Sequence, residues 1–393
     1  MTDNNKCILP WIHIHGDVEG KYRLCCYLQN QKEKTELGTS EDSYNAVWNG
    51  NPMKHIRSQY INNEIPRECY LTCHSREAAQ RGTSFRTDQN KKWVHKHDLW
   101  DKTNPDGSVD VPISYFDIRF SNVCNFRCRM CGPESSTKWY NDWQKLTGKT
   151  NFKGPHKNWN KPALWDDIPT FIDNVEEIYF AGGEPLMMDE HYELLEYLIS
   201  NGYTNLRLTY NTNLSVLRYK EYDLPELWSH FNEVELWPSM DGMGKEAEYS
   251  RKGLNWDQFE ANCLEVKQYI TTISSVINIY SIHSMLRLID WCKTHDIFFN
   301  GTLLYFPNYL SIQCLPIEEK RIINKKYKEY LSIDKRLHLN EVNHILVWLK
   351  FMNNQDNSHL LSKFKNYTDK LDSIRNENFI EVFPYYEHWF KKI

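Results

Sequence analysis

The stretch Cys124-Asn125-Phe126-Arg127-Cys128-Arg129-Met130-Cys131 places three thiols within eight residues, in the spacing C-x3-C-x2-C. It comes directly after Phe116-Asp117-Ile118-Arg119-Phe120, whose alternation of apolar and polar residues predicts a β-strand with one buried face. Thiolates are ligands for soft metals and for iron–sulfur clusters. Three of them leave one iron of a cubane cluster open to a further ligand. Plainer uses compete: structural zinc, a thioredoxin-like pair at Cys128 and Cys131, or buried unpaired thiols. Zinc asks for a fourth ligand, and no further cysteine or histidine follows within the next dozen residues. The pair reading leaves Cys124 unexplained.

A chain of 393 residues allows a sizeable core and two or three domains. With 40% hydrophobic and 25% charged residues it has the balance of a soluble globular protein. Lys+Arg 47 against Asp+Glu 52 gives a net charge of -5, which offers no basic footprint for nucleic acid. The segment Met1–Lys6 is polar, no apolar signal core follows, and no run reaches transmembrane length. A cytoplasmic location is therefore expected, where clustered thiols bind metal more often than they pair. Eight of the 11 cysteines lie in the first third: Cys7, Cys25, Cys26, Cys69, Cys73, Cys124, Cys128 and Cys131. Cys263, Cys292 and Cys314 are isolated and read as packing residues.

In the first hundred residues, Ile12-His13-Ile14-His15, a turn at Gly16-Asp17 and Tyr22-Arg23-Leu24-Cys25-Cys26 predict a β-hairpin that brings Cys7 and Cys25 to one end. Cys69 and Cys73 follow, in what reads as a loop. Four thiols from hairpin and loop make a closed site, suited to a buried cluster or to structural zinc. At most one of Cys25 and Cys26 is expected to ligate, because neighbours on a strand point opposite ways. His13, His15 and His74 are spare nitrogen donors, read first as surface or hairpin residues. Thr83–Asp110 lacks periodicity, contains the turn signal Asn104-Pro105-Asp106-Gly107, and reads as a linker.

From Ile113 onward strand-like and helix-like segments alternate. Strands are expected at Ile113–Phe120, Val175–Phe180, Leu206–Asn211, Val234–Trp237, Val276–Ile282 and Thr302–Phe306. Helices are expected near Glu134–Leu146, Leu186–Ser200, Leu224–Phe231, Trp256–Ile270 and Ser284–Thr294. The alternation predicts a parallel α/β sheet, open or curled into a partial barrel. The chemically suggestive residues follow the strands: the three cysteines, then Gly182-Gly183-Glu184-Pro185, Asn211-Thr212-Asn213 and Ser239-Met240-Asp241-Gly242. In parallel α/β folds that edge binds ligands. Two glycines let backbone approach a ligand closely, and Pro185 suits a first helical turn. Asn, Ser and Asp at strand ends bind ribose hydroxyls or a carboxylate, and equally cap helices. Arg251 can pair a carboxylate or simply face solvent.

Taken together, these residues resemble the radical S-adenosylmethionine superfamily. C-x3-C-x2-C after the first strand, Gly-Gly-Glu-Pro after the second and Ser-Met-Asp-Gly after the fourth match its pattern in order and spacing, over roughly Ile113–Pro316. The resemblance implies a 4Fe-4S cluster on Cys124, Cys128 and Cys131, with S-adenosylmethionine chelated to the fourth iron. It implies that Gly182, Gly183 and Glu184, with Pro185 behind them, accept hydrogen bonds from the methionine ammonium. Ser239, Asp241 and Arg251 fall where relatives contact ribose or carboxylate, with Asn211 and Asn213 at the preceding strand end. Met130 stands where many members carry an aromatic residue, and its backbone is expected to meet the adenine.

The front segment resembles the twitch and SPASM auxiliary-cluster modules of the same superfamily. Cys7, Gly20 and Cys25 fit C-x(9–15)-G-x4-C, which favours Cys25 over Cys26. With Cys69 and Cys73 this implies a second 4Fe-4S cluster. There are two departures: the module precedes the core instead of following it, and its second pair is spaced C-x3-C.

The implied fold is a partial (β/α)6 barrel with a small N-terminal hairpin-containing cluster module and a helical C-terminal tail. The expected domains are 1–110, 111–316 and 317–393. The implied reaction is reductive cleavage of S-adenosylmethionine to a 5′-deoxyadenosyl radical, which abstracts hydrogen from a peptide, protein or small molecule, leading to oxidation or cross-linking. A reductant such as flavodoxin or ferredoxin is the implied partner. A radical methyl- or thio-transferase and a non-catalytic zinc-binding interaction protein are the alternatives. No catalytic acid or base stands out. Lys320–Tyr330 and Ile345–Met352 are the clearest helices of the tail, with Asn353–Asn357 a loop, and no catalytic pattern marks that region.

Overall fold

The computed structural model describes residues 5–30, 35–78, 84–150, 154, 156, 159, 162–333 and 339–393; the first four residues and Thr83 therefore lie outside the described part. The chain divides into two compact units. The first comprises Met1–Asn122, Pro155–Thr209 and Glu226–Val234, and the second Val123–Gly154, Tyr210–Pro225 and Glu235–Ile393.

Seven strands form one sheet: β1 (His13–Gly16), β2 (Lys21–Arg23), β3 (Glu36–Thr39), β4 (Tyr115–Ile118), β5 (Glu177–Phe180), β6 (Arg207–Thr212) and β7 (Glu233–Pro238). Their order is β7-β6-β5-β4-β1-β2-β3. β4 runs parallel to β5, and β1 runs parallel to β4. The predicted hairpin is present, with β1 and β2 antiparallel. It is seated on the edge of the central sheet, a placement its sequence does not announce. Asp17 builds its turn, accepting from the backbone N–H groups of Glu19 and Lys21 at 2.9 and 3.1 Å and pairing with Arg23 Nε at 2.6 Å.

In the first unit the sheet has two chemically distinct faces. Ile14, Phe116 and Ile178 are paired in register on one face, and the register continues with Ile118 beside Phe180. This face meets the surrounding helices: Phe116 packs edge-on to Phe171, and Phe180 edge-on to His191. The other face carries His13, Tyr115 and Glu177 in one row, and His15, Asp117 and Tyr179 in the next. All six are buried. His13 and His15 are thus hairpin residues but interior ones. They are hidden because β1 lies against β4 and not at the surface.

Burial pushes the imidazole of His13 down to about 4 and that of His191 down to about 3. An unfolded histidine titrates near 6.5, so the unfolded chain takes up more protons as pH falls. This stability is complete above about 6.5 and is lost progressively toward the folded values, about 2 kcal/mol for each histidine by pH 5. The expected result is a fall in melting temperature between pH 7 and pH 5 that His191→Gln makes shallower. An unchanged pH profile in that variant would contradict the assignment.

The interval read as a linker is structured. Phe85–Lys92 is helical, started by a capping box between Ser84 and Thr87, and Val94–Trp100 follows as a 3-10 turn. Periodicity failed there because the segment is anchored by isolated large residues: Trp93 and Trp100 are buried. Trp93 stacks on Tyr115, and Lys92 pairs with Glu177.

In the second unit, β8 (Thr272–Ile277) and β9 (Phe298–Leu303) pair in parallel, and parallel bridges Leu236–Ile270 and Ser239–Ser274 set β8 beside the end of β7. The fifth strand therefore starts and ends earlier than expected. Asn278 ends it, accepting Tyr280 N–H on Oδ1 at 2.8 Å and donating to Val276 O, so the apolar run Ile279–Ile282 is a buried turn. Likewise β9 starts and ends earlier than the expected Thr302–Phe306, which it overlaps at Thr302 and Leu303. Three long helices complete the unit: Ile317–Ile333, Leu339–Asn354 and Leu361–Arg375. The second runs two residues into the expected loop. The α/β class, a central parallel sheet and a helical C-terminal region are as the sequence led one to expect.

Gly301 in β9 admits Trp348. A Cβ built there would stand 2.2 Å from the indole Cζ2, and Trp348 Nε1 donates to Gly301 O at 3.2 Å. Gly301→Ala should cost about 1–3 kcal/mol, as overpacking does, read by chemical denaturation. A change within a few tenths would mean that Trp348 moves freely.

Candidate iron–sulfur and cofactor sites

The cysteine loop belongs to the second unit. Cys124 and Cys128 are buried and Cys131 is exposed. The segment Arg127–Cys128 pairs antiparallel with Arg251–Lys252, with Arg251 opposite Cys128. N–H donors already face the sulfurs. Phe126 N–H is 3.4 Å from Cys124 Sγ, Asn213 Nδ2 is 3.8 Å from the same atom, and a guanidinium nitrogen of Arg251 is 4.0 Å from Cys128 Sγ. Cys131 donates to Cys128 and, together with Arg251, holds the Cys128 thiol below its ordinary range; as the donor of that pair Cys131 is pushed up. The donor set is thus arranged for thiolate sulfur, and a cluster fits it.

Asn213 is fixed by its amide, which donates to Asn125 Oδ1 at 2.9 Å and accepts Ser215 N–H at 2.9 Å. Asn211, the penultimate residue of β6, has a buried Oδ1 with no hydrogen-bond partner among the described residues. That orphan acceptor is what a ligand hydroxyl would satisfy. Asp241 pairs with Arg251 Nε at 2.8 Å and accepts Val276 N–H at 2.6 Å. Ser239 donates its backbone N–H to Thr212 O at 2.8 Å and is half-buried, as is Met130. Asp241 and Arg251 therefore spend charge on each other, and Arg251 also reaches the cysteine loop.

Gly182, Gly183, Glu184 and Pro185 belong to the first unit, just past the end of β5. Gly182 has φ +115° and a Cβ there would meet Ser121 O at 2.9 Å, so only glycine fits. Gly183 N–H donates to the same carbonyl at 3.0 Å. Glu184 is buried and caps the following turn through Leu186 N–H, with Pro185 in its first position.

The second thiol set also lies in the first unit. Cys7, Cys25 and Cys69 are buried and Cys73 is partly so. Cys69 and Cys73 sit four residues apart on continuous helical turns, Arg67–Cys69 leading into the π-type turn Tyr70–His74, so both point to one side. This corrects the expected loop. Burial first, then the neighbouring thiols Cys26, Cys69, Cys7 and Cys73 in that order, pushes Cys25 far up. Burial likewise raises Cys7 to about 12. Buried thiols that resist ionisation when bare suit a group that brings positive charge. Cys26 is the first thiol acting on Cys25, and after burial it meets Asp117 and Arg119 before Cys73. Cys263, Cys292 and Cys314 are all buried. No three His, Cys, Asp or Glu side chains among the described residues are gathered closely enough to hold a single metal ion.

Sequence reasoning missed the buried pair His15–Asp117, whose Nδ1 and Oδ2 are 3.0 Å apart, with Arg119 Nε 3.6 Å from the other oxygen. Burial opposes the charge on Asp117, yet His15 and Arg119 hold its carboxyl below the usual range. A polar residue in an alternating strand was the only signal, and it reads as a solvated face until β1 is known to lie beside β4. A cavity of about 540 Å³ opens at the N-terminal edge of the same sheet, lined by Lys92, Trp93, Glu177, Tyr203, Arg207 and Glu233 among others.

Residues 118–292 match the model of the radical SAM superfamily, and residues 7–74 match the SPASM iron–sulfur cluster-binding domain. The chain carries a radical SAM superfamily domain preceded by a SPASM domain, and with them the 4Fe-4S cluster, S-adenosylmethionine and auxiliary-cluster binding that define such domains. A stretch of 113 residues is 29% identical to GTP 3′,8-cyclase of Campylobacter lari, covering 28% of this chain and 31% of that protein. The chain thus spans under a third of the curated relative it matches. No helix among the described residues is long and apolar enough to cross a membrane.

Proposed function

We propose that this protein reductively cleaves S-adenosylmethionine at Cys124, Cys128 and Cys131 and uses the product to abstract hydrogen from a peptide or small molecule, oxidising or cross-linking it. The observation that supports this best is that both matched regions coincide with separate thiol sets, one of three cysteines and one of four. When bound, the cluster and cofactor supply a one-electron cleavage that yields a 5′-deoxyadenosyl radical; the chain supplies position and exclusion of water.

Asn213 and Arg251 orient the sulfurs. Asn211 offers its orphan oxygen to a cofactor hydroxyl, and the Gly182–Glu184 backbone offers carbonyls to the ammonium. Ser239, Asp241 and Met130 complete the cofactor contacts, and Cys7, Cys25, Cys69 and Cys73 hold the auxiliary cluster. Electrons come from a small reductant of the flavodoxin or ferredoxin type. The cyclase likeness supports radical chemistry and no particular substrate. A transferase would need an acceptor cysteine or a sacrificial cluster, and Cys263, Cys292 and Cys314, being buried, do not offer a reachable thiol.

The test is anaerobic reconstitution with iron and sulfide, followed by metal analysis and assay of 5′-deoxyadenosine with dithionite. About eight irons per chain and cofactor cleavage are expected, for two 4Fe-4S clusters. Colourless protein holding stoichiometric zinc and releasing no 5′-deoxyadenosine would sink the proposal.

A further inference from the structure

The C-terminal helix Leu361–Arg375 is involved with the cysteine loop in a way that the tail's sequence does not suggest. Three consecutive loop carbonyls each receive a side-chain donor. Arg375 donates to Arg127 O at 2.7 Å, Trp139 Nε1 to Cys128 O at 2.9 Å, and the Tyr367 hydroxyl to Arg129 O at 2.7 Å. Two of these three donors come from the one helix. Arg375 is itself fixed, with Nε 2.8 Å from Asp142, and its guanidinium lies 4.8 Å from the centre of the Trp139 ring. Asp142 also takes Arg127 at 2.7 Å.

Arg129, the first of the two residues between the second and third cysteines, is held from the same quarter. Arg129 is fully buried, bonds Asp372, pairs with Glu377 at 2.6 Å, and stacks 3.6 Å from the centre of the Tyr249 ring. Tyr249 in turn donates to Asp372 at 2.7 Å. The loop therefore cannot shift without breaking several buried polar contacts, each of which would leave an unsatisfied partner.

We propose that Tyr367 and Arg375 are positioning residues for the three-cysteine loop, so that the C-terminal helix sets the geometry and charge environment in which those thiols hold their cluster. This rests on the proposed function for the identity of the bound group, but not for the clamp itself. Arg375 adds positive charge beside the loop, and positive charge favours the reduced, more negative cluster. Tyr367 adds rigidity without charge. The two variants should therefore behave differently.

The test uses full-length reconstituted protein with Tyr367→Phe, Arg375→Gln and the conservative Arg375→Lys. Two quantities are read: hydrogen exchange of the amides of residues 127–131, and the midpoint potential of the three-cysteine cluster, with the auxiliary cluster as internal reference. In Tyr367→Phe, exchange should quicken about fivefold, the loss of one net hydrogen bond, while the potential stays near that of the parent. In Arg375→Gln, exchange should quicken and the potential should fall, and Arg375→Lys should restore the potential in part. Unaltered exchange in both Tyr367→Phe and Arg375→Gln would overturn the proposal. Exchange that quickens with an unmoved potential in Arg375→Gln would overturn its electrostatic half. A parent protein with no cluster at these cysteines would remove the proposed function, and the exchange measurement would still decide the clamp.

Discussion

Replacing Cys124, Cys128 and Cys131 together by alanine is expected to remove about four of about eight irons and to abolish release of 5′-deoxyadenosine, while the auxiliary cluster stays in place. The two thiol sets belong to different compact units, which is why loss of one should spare the other. Within the four-thiol set, Cys25→Ala should lose iron and Cys26→Ala should retain it, because the spacing Cys7, Gly20, Cys25 takes Cys25 into the set and leaves Cys26 out. Iron and sulfide analysis of each variant reads these outcomes directly. Retained iron in the triple variant would show that the loop is not where the first cluster sits.

Arg129→Leu should destabilise the chain by about 3–5 kcal/mol, the cost of removing one partner from a buried ionic set. Asp372 is left with Tyr249 and the Phe379 N–H as its donors, and Glu377 with Lys252. Adding Asp372→Asn to that variant should recover part of the loss, since the uncompensated charge is then gone. Denaturant unfolding of parent, single and double variants gives the coupling. A loss below about 1 kcal/mol would place Arg129 among solvent-screened pairs.

The parts of the site that could be read from sequence are those built from local chemistry. The cysteine spacing, the glycine pair at Gly182 and the Asn and Ser-Met-Asp-Gly segments after successive strands need only their neighbours to be recognised. Each lies at or just beyond a strand end, Gly182 after Phe180 and Ser239 after Pro238. What could not be read depends on register and on distant contacts. His15 meets Asp117 only because β1 lies parallel to β4 with those residues opposite one another. Tyr367 reaches Arg129 across 238 residues, and nothing in a polar helical tail marks that one hydroxyl. Cys69 and Cys73 stand out in the sequence by their spacing, but the helical turns that carry them do not, because a short run following Pro66 carries little periodicity.

The most direct test of cofactor binding at an open iron of the three-cysteine loop is electron paramagnetic resonance of the dithionite-reduced protein with and without S-adenosylmethionine. The expected result is a cluster signal whose shape changes when S-adenosylmethionine is added, in the parent and in a variant lacking Cys7, Cys25, Cys69 and Cys73, and no such response in the Cys124/Cys128/Cys131 variant. A signal indifferent to S-adenosylmethionine in the parent would contradict an open iron at that loop, and with it the reaction proposed for this protein.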